Sequence, residues 1–278
     1  MPDLLLRAVN SIPDRAEIEI IIINNGTVAL SDSLFDGRHN VQVIWDAVGK
    51  GAGAARNIGV DKAKGEWLVF LDADDYFTEG AFEYMDSRLQ DKADIVFFKV
   101  CCVRSEDGLP AYRHLAFNEL IDRYMQTRDE GTLRYEWTSP WGKMIRSQLV
   151  KKHAIRFDET QAANDILFSL LTGFYAEHIS ADEKMIYCVT ERSGSLTATP
   201  SLRNLSDRID VCVRYNKFVR NHRLSRYQKS IMYYLSLIAR HYGYGEALKR
   251  LWRSIRSGNN PFIGCTRWLQ TTRNSNNQ

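Results

Sequence analysis

The stretch WLVFLDADD, residues 67–75, consists of five apolar residues followed by three carboxylates within four positions. Such an apolar run predicts a strand that is buried on both faces, as in a parallel sheet covered by helices. The acids then lie at the carboxyl end of the strand, where ligands bind in open α/β sheets. Because like charges repel one another and oxygen ligands suit Mg²⁺ or Mn²⁺, the stretch favours a metal-bridged nucleotide diphosphate. A solvated acidic turn explains the same spacing equally simply.

The composition indicates a globular protein with reduced thiols. The chain has 278 residues, 44% of them hydrophobic, which suits one large domain or two modest ones. No apolar run reaches the roughly 18 residues of a membrane span, and Leu4 to Leu6 is too short for a signal-peptide core. We therefore expect a cytoplasmic protein. Five cysteines in no metal-ligand spacing predict free thiols, at Cys101, Cys102, Cys188, Cys212 and Cys265.

The charge is unevenly distributed along the chain. Residues 201–278 hold 15 lysines and arginines against three acidic residues, a net charge of +12, so residues 1–200 carry −9 of the total of +3. This asymmetry predicts an acidic catalytic part and a basic tail that meets an anionic partner. Nucleic-acid binding fits the charge of the tail, but no recognised motif supports it, and we expect no nucleic-acid partner.

Up to residue 105 the pattern alternates between helix and strand, which predicts a mainly parallel sheet with helices on its faces. Helices are predicted at 3–12 and 78–91, and strands at 18–23, 41–45, 67–71 and 93–103. The glycine-rich stretch GKGAGAARN, residues 49–57, leads into another helix. It suits either a phosphate cradle at a helix N-terminus or a tight loop before an alanine-rich helix.

Beyond residue 105 the pattern is less regular. The aromatic residues of 111–160 suit either a sugar-stacking face or the core. A helix predicted at 164–174 begins with Asn164 and Asp165, where an aspartate usually caps the helix or complements its dipole. A strand at 185–190, a turn at 192–195, a wholly helical segment at 203–257 and a disordered end at 271–278 complete the prediction.

The basic helix at 246–257 leaves two interpretations open. Its apolar positions share one face, and its lysines and arginines occupy the other. The apolar face can lie on an anionic membrane surface, or it can pack on the main domain and leave the charges in solvent. The apolar positions are Ala247, Leu248, Leu251, Trp252 and Ile255.

Several separate stretches resemble the family 2 glycosyltransferases of the GT-A fold. They are AARNIG at 54–59, AKGEW at 63–67, FLDADD at 70–75, WGKMI at 141–145, IRF at 155–157, Asn164-Asp165 with Phe168, and RSGSL at 192–196. The resemblance implies an α/β fold of the GT-A, Rossmann-like type, with a mainly parallel sheet, helices on both faces and a C-terminal helical extension. It divides the chain into a nucleotide-sugar-binding half at 1–105, an acceptor-side half at 106–200 and a basic helical region at 201–278.

The resemblance also implies a site. Asp72 and Asp74 match the family's Asp-x-Asp motif, in which Asp74 binds Mg²⁺ or Mn²⁺ on the donor diphosphate and Asp72 lies near the ribose or the metal. Arg56 matches an arginine near the nucleotide, and Asp165 matches the general base of this inverting family. The acceptor side is assigned to Trp141, Lys143 and Arg192.

Two features depart from the family pattern. The family's first strand, with the Pro-x-Tyr-Asn turn that holds the nucleobase, is expected to be absent because the first helix starts at residue 3. Asn24 and Asn25 stand where the family usually has the two acids of Asp-Asp-Gly-Ser, and we assign them to donor binding. Asparagine accepts a hydrogen bond but carries no charge, so base preference or donor affinity is expected to differ.

The sequence therefore predicts an inverting, metal-dependent glycosyltransferase that moves a sugar from a UDP-sugar to a hydroxyl of a polysaccharide or a lipid-linked oligosaccharide. The basic helices would meet the anionic inner face of the membrane. The alternative is a catalytically impaired donor-binding or scaffold protein of the same fold. A sugar nucleotidyltransferase is a more distant interpretation, because residues 1–15 contain no glycine for a phosphate loop.

Overall fold

The computed structural model describes residues 2–46, 48–192 and 201–263. The predicted turn residues Ser193 to Ser195, with Leu196 of the RSGSL stretch, and also Cys265 and the end at 271–278, lie outside the described residues. The elements of the first half are α1 (Pro2–Asn10), β1 (Ile20–Asn24), β2 (Val41–Trp45), α2 (Ala52–Lys62), β3 (Trp67–Val69), β4 (Tyr76–Phe77), α3 (Ala81–Ser87) and β5 (Ile95–Arg104).

The second half contains more regular structure than its sequence pattern predicts. Its elements are α4 (Leu115–Thr127), α5 (Gly131–Glu136), β6 (Lys143–Arg146), α6 (Ser147–Lys152), α7 (Ile166–Tyr175), β7 (Ile179–Glu191), α8 (Leu202–Asn221), α9 (Met232–Tyr242) and α10 (Tyr244–Arg256). The prediction of a wholly helical segment at 203–257 was wrong. Arg223, at a φ of 62°, and Gly243, at a φ of 90°, have left-handed backbone values that end a helix.

The strands form two sheets. β1 and β2 pair in parallel, from Ile20 opposite Val41 to Asn24 opposite Trp45. The larger sheet has the order β3-β6-β5-β7-β4, and of its four pairings only that of β5 with β7 is parallel. The predicted mainly parallel sheet is therefore a mixed sheet. β6 runs antiparallel to the first three residues of β5, from Lys143 opposite Phe97 to Ile145 opposite Ile95.

The core is centred on β5, in which Ile95 to Phe98 are fully buried. The same core takes residues from β3, β6, α7 and β7, so the two predicted halves at 1–105 and 106–200 share one hydrophobic core. The run at 67–71 was predicted to be buried on both faces, and in this respect the prediction was wrong, because only Leu68 is buried in β3. In β1 only Ile20 is buried. Each of these strands has one edge without a strand partner among the described residues.

The C-terminal helices α8, α9 and α10 pack around a small core of their own, which includes Leu205, Ile209 and Ile238. They are attached beside α5 and α7: the Tyr215 hydroxyl donates to the Tyr135 carbonyl of α5 at 2.6 Å, and the Tyr215 side chain packs with Leu170 of α7. Within the described ranges, every helix is too short or too polar to cross a membrane. The four cysteines that the structure describes are free thiols, as predicted.

Candidate functional site

The acidic turn after β3 divides its three carboxylates between two roles. Asp75 is buried, and it accepts hydrogen bonds from the Tyr187 hydroxyl at 2.6 Å and from the Thr190 amide at 2.7 Å. Burial raises the pKa of Asp75 to about 7, with a further contribution from Asp72, although these hydrogen bonds act in the opposite direction. Asp75 therefore fixes the turn to β7, and Asp72 and Asp74 remain the candidates for ligand binding.

Arg56, on the second turn of α2, joins the acidic turn to the start of α7. Its guanidinium donates to Asp72 at 2.5 Å and to the Asn164 side chain at 2.8 Å. Burial alone would lower the pKa of Arg56, but Asp72 and Asp165 outweigh it and raise that pKa. The arginine is therefore a fixed positive charge between two acids that are 93 residues apart in the sequence.

Asp165 occupies the N-cap position of α7, but its carboxylate makes no capping hydrogen bond within the described part of the chain. Of the two usual structural uses of an aspartate at this position, capping is therefore not made here. Burial raises the pKa of Asp165, while the positive charge of Arg56 partly opposes this effect. A carboxylate whose pKa is raised is better suited to accept a proton from a hydroxyl group.

Asp74 lies beside two arginines that are distant from it in the sequence. Arg192, after β7, forms an ion pair with the Asp74 carboxylate at 2.9 Å. Arg7 of α1 donates to the Asp74 backbone carbonyl at 2.6 Å and to the Thr190 hydroxyl at 2.7 Å. Arg192 was predicted on the acceptor side, but its contact is with Asp74, the acid that is predicted to bind the metal. Arg7 was not predicted at all, because nothing near it in the sequence indicates partners so far along the chain.

The two carboxylates can hold a divalent cation only together with other ligands. The described residues contain no group of three or more His, Cys, Asp or Glu side chains that could bind a metal ion. Asp72 uses one oxygen for Arg56 and Asp74 uses one for Arg192. These two ion pairs use only one oxygen of each acid, and Mg²⁺ typically takes one or two carboxylates plus substrate phosphates. The residues therefore fit a cation that is bound together with a diphosphate.

The glycine-rich stretch at 49–57 is explained by packing. A Cβ atom added at Gly53 would lie 1.8 Å from the Asp158 carbonyl oxygen, so only glycine fits there. Asn57 of the same helix exchanges two hydrogen bonds with the backbone of Phe157, at 3.0 and 2.9 Å. These contacts favour the tight-loop interpretation, and they hold α2 against the segment that leads to Asp165.

Asn24 and Asn25 lie at the carboxyl end of β1, on the smaller sheet. The Asn24 amide accepts from the Gly26 backbone at 3.0 Å and donates to the Val28 carbonyl at 2.8 Å. The Trp45 indole donates to the Gly26 carbonyl at 3.3 Å. The Asn24 side chain thus shapes its own loop, and donor binding by the two asparagines remains a prediction.

Trp141 and Lys143 do not lie on an acceptor surface. Trp141 is 5% exposed and stacks on the Tyr187 ring. Lys143 is 1% exposed, and its amine lies 3.4 Å from both the Trp137 carbonyl and the Ser169 hydroxyl. The assignment of these residues to the acceptor side is corrected accordingly. β6 is an interior strand of the sheet, so its inward side chains pack beneath the site.

We expect Lys143→Met to remove a pH-dependent destabilisation. Burial lowers the pKa of Lys143 to about 7, although Asp165 opposes this change. Between this value and the ordinary pKa of about 10.4, the unfolded chain binds a proton that the folded protein does not, so wild-type stability rises with pH. The variant should therefore be more stable than the wild type at pH 7, by on the order of a few kcal/mol, with the difference shrinking towards pH 10.

Urea unfolding of both proteins across this pH range measures the effect. The exposed Lys152→Met is the matched control, and it should leave the pH dependence unchanged. Parallel stability curves for the wild type and Lys143→Met would contradict the expectation.

The chain is similar in sequence to known glycosyltransferases. The sequence model described as "Glycosyl transferase family 2" matches residues 2–153. The uncharacterized glycosyltransferase EpsJ of Bacillus subtilis is 28% identical over 259 residues, which cover 89% of this chain and 67% of EpsJ. The putative glycosyltransferase EpsH of the same organism is 25% identical and covers 61% of this chain. The chain spans 51% of EpsH, about half its length.

A solved structure has the same fold. The crystal structure of S. aureus TarS 1-349 in complex with UDP-GlcNAc superposes with a TM-score of 0.67, covering 91% of this chain and 77% of TarS. The sequence identity over this superposition is 19%, so the likeness concerns the fold.

Proposed function

The chain belongs to glycosyl transferase family 2 and has its GT-A fold, and from this premise we propose that it transfers a sugar from a UDP-sugar to a hydroxyl group of a polysaccharide or a lipid-linked oligosaccharide. One observation carries the proposal: Arg56 contacts both Asp72 of the acidic turn and Asn164, the neighbour of Asp165. The donor-binding acid and the candidate base therefore belong to one cluster.

The choice of donor is supported by the structural neighbour. TarS was crystallised with UDP-GlcNAc and with UDP, and the S. aureus protein is named a poly(ribitol-phosphate) beta-N-acetylglucosaminyltransferase. Another relative, from Borreliella burgdorferi, is named a cholesterol galactosyltransferase. Cholesterol and poly(ribitol-phosphate), which these names contain, are both compounds with hydroxyl groups, and this supports a hydroxyl acceptor for this chain.

In the proposed reaction, Asp165 accepts the proton of the acceptor hydroxyl as that oxygen bonds to the anomeric carbon. The bond from this carbon to the diphosphate oxygen breaks at the same time, so the configuration inverts and UDP leaves with the bonding electrons. Asp72 and Asp74 would hold Mg²⁺ or Mn²⁺, whose charge when bound stabilises the diphosphate leaving group. Arg56 holds Asp72 and the start of α7 in fixed positions relative to each other.

The experiment is a donor panel. The protein is incubated with a hydroxyl acceptor mixture, Mn²⁺ and each of several UDP-, GDP- and dTDP-sugars in turn, and release of nucleoside diphosphate is measured. We expect release from a UDP-sugar, and its loss when EDTA replaces Mn²⁺. Calorimetry with UDP and Mn²⁺ supplies the complementary measurement. UDP binding without turnover would favour the catalytically impaired alternative, and neither binding nor release with any donor would overturn the proposal.

A further inference from the structure

Helix α10 packs on the protein through one side. Ala247 and Ser254 are buried against the other C-terminal helices, and Leu251 packs at the edge of the same cluster. At about 100° per residue, the next sector of the helix carries a stripe of four apolar side chains that face away from this cluster. The stripe consists of Tyr244, Leu248, Trp252 and Ile255, which are 80%, 61%, 59% and 50% exposed.

The sequence pattern places all the apolar residues of this helix on one face, but the structure divides them into a packed side and an exposed stripe. A helix that only needed to pack would bury all of its large apolar residues, since each buried side chain of this size contributes to stability. Here the smaller residues are packed, whereas Leu248 and Trp252 are left in solvent. A contiguous exposed apolar patch that is bordered by charge is typical of an interaction surface.

Basic side chains border the stripe on the side away from the protein. Lys249 and Arg253 have side chains that are both 74% exposed, and their acidic partners Glu246 and Asp210 are surface groups that screen them only weakly. The guanidinium of Arg256 lies over the Trp252 ring, 4.2 Å from its centroid. Residues 201–263 as a whole hold 13 lysines and arginines against three acids.

We propose that α10 binds the surface of an anionic lipid bilayer, with the stripe inserted at the level of the headgroups and the three basic residues against lipid phosphates. Tyrosine and tryptophan favour this interface, and a basic amphipathic helix of this kind lies in its plane. A second copy of the chain is a poorer occupant, because it brings the same positive charge. Four side chains are also far fewer than the roughly 20–30 residues that each partner contributes to a stable protein interface.

The inference goes beyond the proposed function, because binding to a membrane requires neither donor nor catalysis. It is tested by co-sedimentation of the full chain with vesicles of phosphatidylcholine alone or with about 30% phosphatidylglycerol, at low and at high salt. We expect binding to the anionic vesicles only, and weaker binding at high salt.

The variants separate the two contributions. Leu248→Ser with Trp252→Ser should weaken binding to anionic vesicles at least tenfold, and Lys249→Gln with Arg253→Gln should weaken it severalfold and reduce its salt dependence. The matched controls are Leu109→Ser with Tyr112→Ser, which are 53% and 73% exposed, and Lys62→Gln with Lys152→Gln, which are exposed on other helices. The controls should bind as the wild type does.

Several outcomes would overturn the proposal. One is equal binding of the wild type and the Leu248→Ser, Trp252→Ser variant, and another is equal binding to neutral and anionic vesicles. A third is a dimer of the wild type, detected by sedimentation velocity, that the same variant dissociates. Because the substituted side chains are exposed, circular dichroism should confirm that each variant remains folded.

Discussion

Asp165→Asn should reduce the turnover number by about a thousandfold and leave donor binding unchanged, since a general base contributes roughly 10² to 10⁴ to the rate. Asparagine keeps the size of the side chain and its place at the start of α7, but it cannot take a proton from the acceptor. The carboxylate makes no helix-capping hydrogen bond in the described part of the chain, so the substitution costs little stability there. Turnover with the active donor and calorimetric UDP binding are the two measurements.

The control for Asp165→Asn is Asp61→Asn. Asp61 is also a carboxylate, but it is exposed and pairs with Arg156 on the surface of α2. It should retain wild-type turnover and donor affinity. If Asp165→Asn turned over at the wild-type rate, the base would have to be another group. If it lost donor binding as well, its role would lie in positioning Arg56 and Asp72.

The second large effect is expected for Asp74→Ala, which should weaken Mn²⁺-dependent UDP binding by at least about a hundredfold. A metal ion stabilises charge on a diphosphate by several kcal/mol, and each 1.4 kcal/mol is a factor of about ten. The ion pair of Asp74 with Arg192 uses one carboxylate oxygen, so the cation can bind through the other. That pair is partly exposed, and such pairs are worth about 1 kcal/mol or less, so it should oppose cation binding only weakly.

Calorimetry of UDP with Mn²⁺ and with EDTA measures this second effect. In EDTA the wild type should bind UDP as weakly as Asp74→Ala does, because both then lack the cation. Glu79→Ala, which removes an exposed acid five residues farther along the chain, should bind as the wild type does. Equal affinity of Asp74→Ala and the wild type in the presence of Mn²⁺ would show that Asp74 is not a metal ligand.

Much of the fold could be predicted because its signals are local. The strands β1 and β2 and the helix α7 begin or end within about two residues of their predicted bounds, as is usual for strong apolar patterns. The prediction failed at 111–160, where α4, α5, β6 and α6 form. Aromatic residues such as Trp137 are buried there from several directions, and a large side chain surrounded by neighbours leaves no simple periodicity in the sequence.

The candidate site, like the fold, could be predicted from the sequence only in part. The residue types and spacing of Asp72, Asp74 and Asp165 indicated which side chains can carry the chemistry. The sequence could not indicate that Asp75 turns inward to Tyr187, or that Lys143 lies beneath α7. These facts depend on contacts between residues separated by 112 and 26 positions, respectively.

The sequence by itself determined the family, the acids and the basic character of the C-terminal helices, because each depends on residue identity or on spacing within one segment. Only the tertiary structure decided that the strands form two sheets, that Arg56 contacts both Asp72 and the residue before Asp165, and that α10 leaves Leu248 and Trp252 in solvent. The physical reason is that burial and pairing depend on which surfaces meet. An apolar side chain is equally apolar in the core and on the surface, and only the packed neighbours distinguish the two.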